Sequence, residues 1–242
     1  MVTQGGLHEI AASIRQRWLP VLAADRLPEP DCRPARLMLL GEDLAAFRNT
    51  EGKLGLIDNL CPHQGSLLAW GVPEEGGLTC PYHGWAFDTE GHCVWIPGTP
   101  NTPGYLSQYD VRSYPLIEAG AVLWAFMGAG DAPAAPAPAW EGLPNTHIAA
   151  TQWQVTVGYE YALEGQAQAV GWARLMAAED AVVLEGPGGI RLQLGVMPAT
   201  ESTVHCTAVL WRPDRPLTET ERKALPTRAS GPADALRELA GA

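Results

Sequence analysis

Two short loops constrain this chain more than anything else in it. Each offers one thiol and one imidazole: Cys61-Pro-His63 and, sixteen residues further on, Cys80-Pro-Tyr-His83. Two thiolates and two imidazoles can hold one four-coordinate ion such as zinc. They can also hold a [2Fe–2S] cluster, with both cysteines on one iron and both histidines on the other. The spacing favours the cluster. Structural zinc sites pair Cys with Cys and His with His at short separations, whereas each loop here mixes the two. Imidazole is neutral where thiolate is anionic, so the mixed set removes negative charge from a cluster and raises its potential. Gly65 and Gly84 follow the two ligand pairs, where glycine lets backbone amides approach a ligand closely. Pro62 and Pro81 stiffen the loops by fixing φ. The sequence therefore predicts Cys61, His63, Cys80 and His83 as ligands of a [2Fe–2S] cluster. A Cys₂His₂ zinc site is the alternative.

Composition narrows the setting. The chain has 242 residues, 46% hydrophobic and 18% charged, with a formal charge of −11. That balance argues against nucleic acid or an anionic membrane as partner. It would suit docking to a basic patch on another protein, although a solvated acidic surface is the default reading. No apolar run reaches the length of a membrane span and the amino-terminal residues do not read as a signal peptide. A cytoplasmic, reducing location is expected, in keeping with iron–sulfur chemistry. Beyond the two ligand cysteines, Cys32, Cys93 and Cys206 stand at unrelated spacings and suggest no disulfide framework.

Taken in order, residues 7–17 have the apolar spacing of a short amphipathic helix. Strands are expected at 18–22, 35–40, 44–48, 54–58, 78–79, 85–87, 93–96, 114–117 and 121–126. Hairpin turns fall at Asn49-Thr-Glu-Gly52 and Asp88-Thr-Glu-Gly91. Many short strands with polar turns argue an antiparallel sandwich or barrel. Residues 128–145 are rich in Pro, Ala and Gly and read as a linker. Beyond it, strands are expected at 151–157, 181–184, 190–194 and 204–211, with a helix over 160–178. Thr218-Glu-Thr-Glu221 has the capping-box pattern of a further short helix, and residues 232–240 suggest another.

Cys61-Pro-His63-Gln-Gly-Ser-Leu-Leu and Cys80-Pro-Tyr-His83-Gly-Trp-Ala-Phe resemble the cluster loops of Rieske non-haem iron oxygenases. The resemblance is to large subunits of the phthalate and phenoxybenzoate dioxygenase group and related O-demethylases. It runs from Arg17-Trp-Leu-Pro-Val21 to Trp124-Ala-Phe-Met-Gly128. It implies an α+β, mostly antiparallel fold. A Rieske β-sandwich would occupy residues 1–127 and a linker residues 128–150. A shortened helix-and-sheet remnant of the oxygenase catalytic domain would occupy residues 151–242.

In the resembled family the second domain holds a mononuclear iron on two histidines and a carboxylate, leaving positions open for O₂. Aligned on Ala162-Leu-Glu-Gly165, the family's bridging aspartate falls on Gln168, its first histidine on Gly171, its second on Met176 and an upstream asparagine on Gly158. Glycine has no ligand atom, and a thioether suits a hard ferrous site poorly. No histidine lies between His147 and His205. The resemblance therefore implies that mononuclear Fe(II) is absent and that no residue of this chain is catalytic. The expected function is electron transfer, from a reductase or ferredoxin to the iron of a ligand-complete oxygenase subunit in a hetero-oligomer, a trimer being one arrangement. One alternative is a complete oxygenase with iron relocated to His147, His205 and Glu160 or Glu164. The other is a non-enzymatic zinc protein or decayed paralogue. His8 and His92 are expected in solvent.

Overall fold

A computed structural model describes residues 12–156, 173–177, 181–200, 202–223 and 225. In chain order the strands are β1 (Trp18–Ala23), β2 (Ala35–Leu39), β3 (Glu42–Arg48), β4 (Leu54–Asp58), β5 (Val72–Glu74), β6 (Gly77–Thr79), β7 (Ala86–Phe87), β8 (Cys93–Trp95), β9 (Leu116–Ala119) and β10 (Val122–Phe126). They continue with β11 (Ile148–Val155), β12 (Ala173–Ala177), β13 (Ala181–Glu185), β14 (Arg191–Pro198) and β15 (Val204–Trp211). Two short α-helices, α1 (Pro103–Leu106) and α2 (Glu219–Lys223), and several single 3-10 turns lie between and after the strands. The fold is mostly antiparallel β, as the turn pattern predicts. Residues 12–15 are helical, the described part of the helix expected over 7–17. His8 and residues 232–240 lie outside the described residues.

The chain divides into two compact units. The unit with the ligand loops comprises residues 25–117 and 125–127. Its β2-β3-β4 meander and its β5-β6-β7-β8 sheet share one core. Phe47 and Ile57 from the first meet Leu78, Phe87 and Cys93 from the second, all buried. Both hairpins form at the expected turns: Asn49 and Lys53 close the β3–β4 connection, and Asp88 and His92 close that of β7 and β8. The turn glycines Gly52 and Gly91 have φ of +80° and +82°, a region most side chains resist.

The other unit comprises residues 1–24, 118–124 and 128–242, and its five-stranded sheet runs β11-β15-β14-β13-β12. All eight residues of β15 are buried between β11 and β14. These boundaries differ from the expected division at residues 127 and 151. β1 belongs to this unit because its polar groups and apolar side chains are used there. His205 Nε2 donates to the Val21 carbonyl (2.7 Å) and the Ala23 amide donates to Gln152 Oε1 (3.1 Å). Leu19, Val21 and Leu22 are buried. Residues 128–150 are likewise no free spacer. Trp140 is fully buried, its indole N–H donates to the Gly120 carbonyl, and its ring packs 4.9 Å from that of Trp211. β11 already begins at Ile148.

The helix expected over 160–178 is corrected where it can be seen. Residues 157–172 and 178–180 lie outside the described residues, but Ala173–Ala177 is strand β12, antiparallel to β13. Apolar runs of this length read equally well at helical and strand spacing. Hydrogen bonding to the Val182 and Val183 region decides the matter, since pairing routinely overrides the helix propensity of Leu, Met and Ala. Thr218 and Glu221 form the predicted capping box: the Glu221 amide donates to Thr218 Oγ1 (3.2 Å) and the Thr218 amide to Glu221 Oε2 (2.8 Å). No helix among the described residues is long and apolar enough to cross a membrane.

Candidate metal centre

The two ligand loops are copies of one backbone device. In the first, the Cys61 amide donates to the Ser66 carbonyl (2.9 Å) and the Gly65 amide donates back to the Cys61 carbonyl (2.8 Å). In the second, the Cys80 amide donates to the Trp85 carbonyl (2.7 Å) and the Gly84 amide to the Cys80 carbonyl (3.1 Å). Gly65 and Gly84 both have φ of +70°. That left-handed turn is what an L side chain would strain, and it explains glycine at both places. Each loop thus presents a cysteine at its base and a histidine near its tip.

The pairs sort by depth. Cys61 and Cys80 are 2% and 3% exposed. His63 and His83 are exposed, with ring centroids 4.6 Å apart at 66°. Trp85 lies flat against His63, 4.7 Å between centroids and 6° between planes. Tyr82 covers part of His83 at 3.8 Å. Trp85 meets Tyr109 edge-on at 4.9 Å. The aromatic frame fixes the imidazole planes while leaving their outer edges to solvent.

The surroundings suit thiolates only once a metal is bound. Burial pushes the Cys61 thiol up to about 11; the His63 amide, donating to its sulfur, works against this and the adjacent Cys80 thiol adds to it. Iron bound here would displace those protons and offset the cost of burying the anions, which would link loading to pH. Cys93 shares the same core and burial raises its thiol too. No disulfide joins these cysteines.

The donor set fits a two-iron cluster better than one ion. A zinc site needs its donors around a single point. Here the two thiols form an inner pair and the two imidazoles an outer pair. Such a split matches a cluster whose irons carry different ligands.

One buried residue braces the first loop. Asn59, fully buried, stands two places before Cys61. Its Oδ1 accepts the Ala69 amide (2.8 Å), its Nδ2 donates to Asp43 Oδ1 (2.9 Å), and its carbonyl accepts the Leu68 amide (2.7 Å). The residues that close the loop, Leu68 and Ala69, are thereby tied to the one that opens it. The sequence singled out neither Asn59 nor the stacking role of Trp85. The signal for Asn59 was a neutral polar residue just past the end of β4, two places before a cysteine.

Residues 17–115 match the family described as Rieske [2Fe-2S] domain. This chain carries a Rieske domain. That domain supports a [2Fe–2S] cluster, with Cys61, His63, Cys80 and His83 as the residues that would hold it. The chain is 38% identical to the phthalate 4,5-dioxygenase oxygenase subunit of Pseudomonas putida, over 56% of this chain and 30% of that one. It is 44% identical to the 3-chlorobenzoate-3,4-dioxygenase oxygenase subunit of Comamonas testosteroni, over 48% and 26%. The matched regions thus span less than a third of these curated relatives. In fold it is similar to dicamba monooxygenase, with a TM-score of 0.73 at 18% identity over 93% of this chain and 85% of that chain. It is also similar to a chain in a structure of the oxygenase and ferredoxin complex of carbazole 1,9a-dioxygenase, with a TM-score of 0.64 at 16% identity over 92% of this chain and 79% of that chain.

The positions read as a lost iron site are not brought together in view. Gly158, Gln168 and Gly171 lie outside the described residues, and Met176 lies on β12 rather than on a helix. The relocated set does not assemble either. His147 precedes β11 and its Nδ1 is engaged by the Arg212 carbonyl (2.9 Å). His205 stands opposite Gln154 at the far end of the same pair of strands. At about 3.3 Å per residue, seven residues separate them by roughly 20 Å, too far for one ion. Glu160 and Glu164 lie outside the described residues. His92 is exposed and bonded to Asp88 (3.0 Å), which raises its pKa.

Proposed function

We propose that this chain is an electron-relay component of a Rieske oxygenase, taking electrons from a reductase or ferredoxin and delivering them to the non-haem iron of a partner subunit. The relatives are oxygenase subunits, and one fold neighbour comes from a complex with ferredoxin. The observation that carries the reading is the unequal furnishing of the two units. One gathers two thiols and two imidazoles in matched loops. The other has, between His147 and His205, no histidine at all, and those two are held apart at opposite ends of β11 and β15.

A [2Fe–2S] cluster in these loops supplies a one-electron couple tuned by net charge, hydrogen bonds to sulfur and solvent access. Cys61 and Cys80 keep the inner pair of ligands dry. His63 and His83 turn their rings outward, where the N–H of a metal-bound imidazole can donate to an acceptor on a partner. Trp85 and Tyr82 hold those rings in orientation. The Gln168, Gly171 and Met176 positions supply no iron ligand in this reading, so the C-terminal unit serves assembly.

Turnover tests it. The purified chain with a reductase and aromatic carboxylates or methoxy-aromatics should take up electrons, seen as bleaching of the visible band, without forming product. Adding a ligand-complete oxygenase subunit from the same source should restore product formation. Product from the chain alone would overturn the proposal in favour of a complete oxygenase.

A further inference from the structure

We infer that the surface beside the ligand loops docks a redox protein whose contact face is rimmed by basic side chains. The inference deepens the relay reading and rests on it. Two independent observations carry it. First, among the described residues every exposed large apolar side chain lies between positions 60 and 105, in the segment that carries the ligands. Elsewhere among the described residues such side chains are buried or half-buried, so this patch is not an incidental scatter. Second, residues 54–111 contain no lysine or arginine but six acidic residues: Asp58, Glu74, Glu75, Asp88, Glu90 and Asp110.

The sheet shows how the patch is built. Val72, Thr79, Ala86 and Trp95 are successive cross-strand partners over β5, β6, β7 and β8, and the register shift between the Ala86 and Phe87 pairs puts Trp95 in this row and Cys93 in the next. The next row, Pro73, Leu78, Phe87 and Cys93, is buried, which turns the first row outward. Val72 and Trp95 at its two ends are each 53% exposed. The two inner strands launch and receive the second ligand loop: Cys80 follows Thr79 and Trp85 precedes Ala86. Tyr82 on that loop is exposed beside His83. Glu74 projects on the same face, its carboxylate accepting the Thr79 hydroxyl (2.6 Å), and the exposed Glu75 follows it.

An apolar, aromatic centre with a charged rim is the anatomy of a small protein interface. A predominantly acidic rim steers basic partners and repels acidic ones. Arg33, 4.8 Å over the Trp70 ring, is this chain's own cation at one edge of the patch and shows that aromatic faces here accept cations. The occupant that fits is a protein presenting Lys or Arg around an apolar contact. An acidic ferredoxin fits poorly.

The test uses the cluster-loaded chain with cytochrome c as basic probe and an acidic plant-type ferredoxin as control, following binding by calorimetry. Cytochrome c should bind at low salt, at least tenfold more weakly at 0.5 M salt. Glu74→Gln with Glu75→Gln should weaken it about fivefold, and Trp95→Ala by a similar factor. Glu219→Gln on α2 should leave it unchanged. The ferredoxin should bind more weakly than cytochrome c. Binding indifferent to the patch variants, equal to that of Glu219→Gln, would overturn the inference, as would preference for the ferredoxin. Self-association abolished by Trp95→Ala would overturn it as well, by giving the patch to a second copy. An electron paramagnetic resonance spectrum of the same sample separates the two readings. A missing cluster signal fails the relay, while the variants still decide the docking face.

Discussion

Replacing Asn59 by alanine should loosen the ligand loop before it unfolds the protein. The change removes the acceptor of the buried Ala69 amide and the donor to Asp43. An orphaned buried amide costs about 1–3 kcal/mol. Asp43 loses less, because Arg36 still donates to both its oxygens at 2.8 Å. Together the loss is about 3 kcal/mol, a fall of roughly 6–12 °C in thermal midpoint for a chain of this size. Asn49→Ala is the matched control. Asn49 is equally buried and its Oδ1 accepts the Lys53 amide (2.8 Å), but it serves the β3–β4 turn and not the ligand loop. Melts followed in the far ultraviolet and at the visible cluster band separate the two. In Asn59→Ala the visible band should disappear ahead of the backbone signal. In Asn49→Ala the two should fall together. Coincident transitions in both variants, or a shift of under about 0.5 kcal/mol in Asn59→Ala, would refute the bracing role.

Burial lowers the pKa of His205 from 6.5 to about 4, against the opposing hydrogen bond to Val21. The unfolded chain therefore takes up the proton first, so this stability is present above pH 6.5 and is lost as pH falls towards 4. The full loss is about 3 kcal/mol. Denaturation midpoints of wild type should drop more steeply over that window than those of His205→Gln, and parallel curves would refute the assignment. Gly77→Ala should abolish soluble protein, since a Cβ there would meet the Phe87 carbonyl oxygen at 1.9 Å. Gly65→Ala meets nothing within 4 Å and should cost only the left-handed backbone, about 1–2 kcal/mol by thermal melt.

The two donor pairs were legible because their chemistry is local: Cys-Pro-His and Cys-Pro-Tyr-His each announce a thiol and an imidazole without reference to the fold. Turns were legible for the same reason, as Asn49-Thr-Glu-Gly52 and the Thr218–Glu221 cap demonstrate. Long-range choices were not. Nothing local in Trp18–Ala23 shows that its Val21 carbonyl will receive His205. Nothing in Ala-Pro-Ala-Trp140 shows that the tryptophan will be buried against Trp211. Ala173–Ala177 became a strand because β13 was there to pair with it. The depth difference between the cysteines and the histidines, and the outward row from Val72 to Trp95, depend on sheet register and emerge only once the strands are paired.

Iron and acid-labile sulfide analysis of the purified chain, with electron paramagnetic resonance on the reduced protein, bears most directly on the relay. The account predicts about two irons and two sulfides per chain and nitrogen couplings from two imidazoles. A third iron bound by this polypeptide, or zinc in place of the cluster, would contradict it.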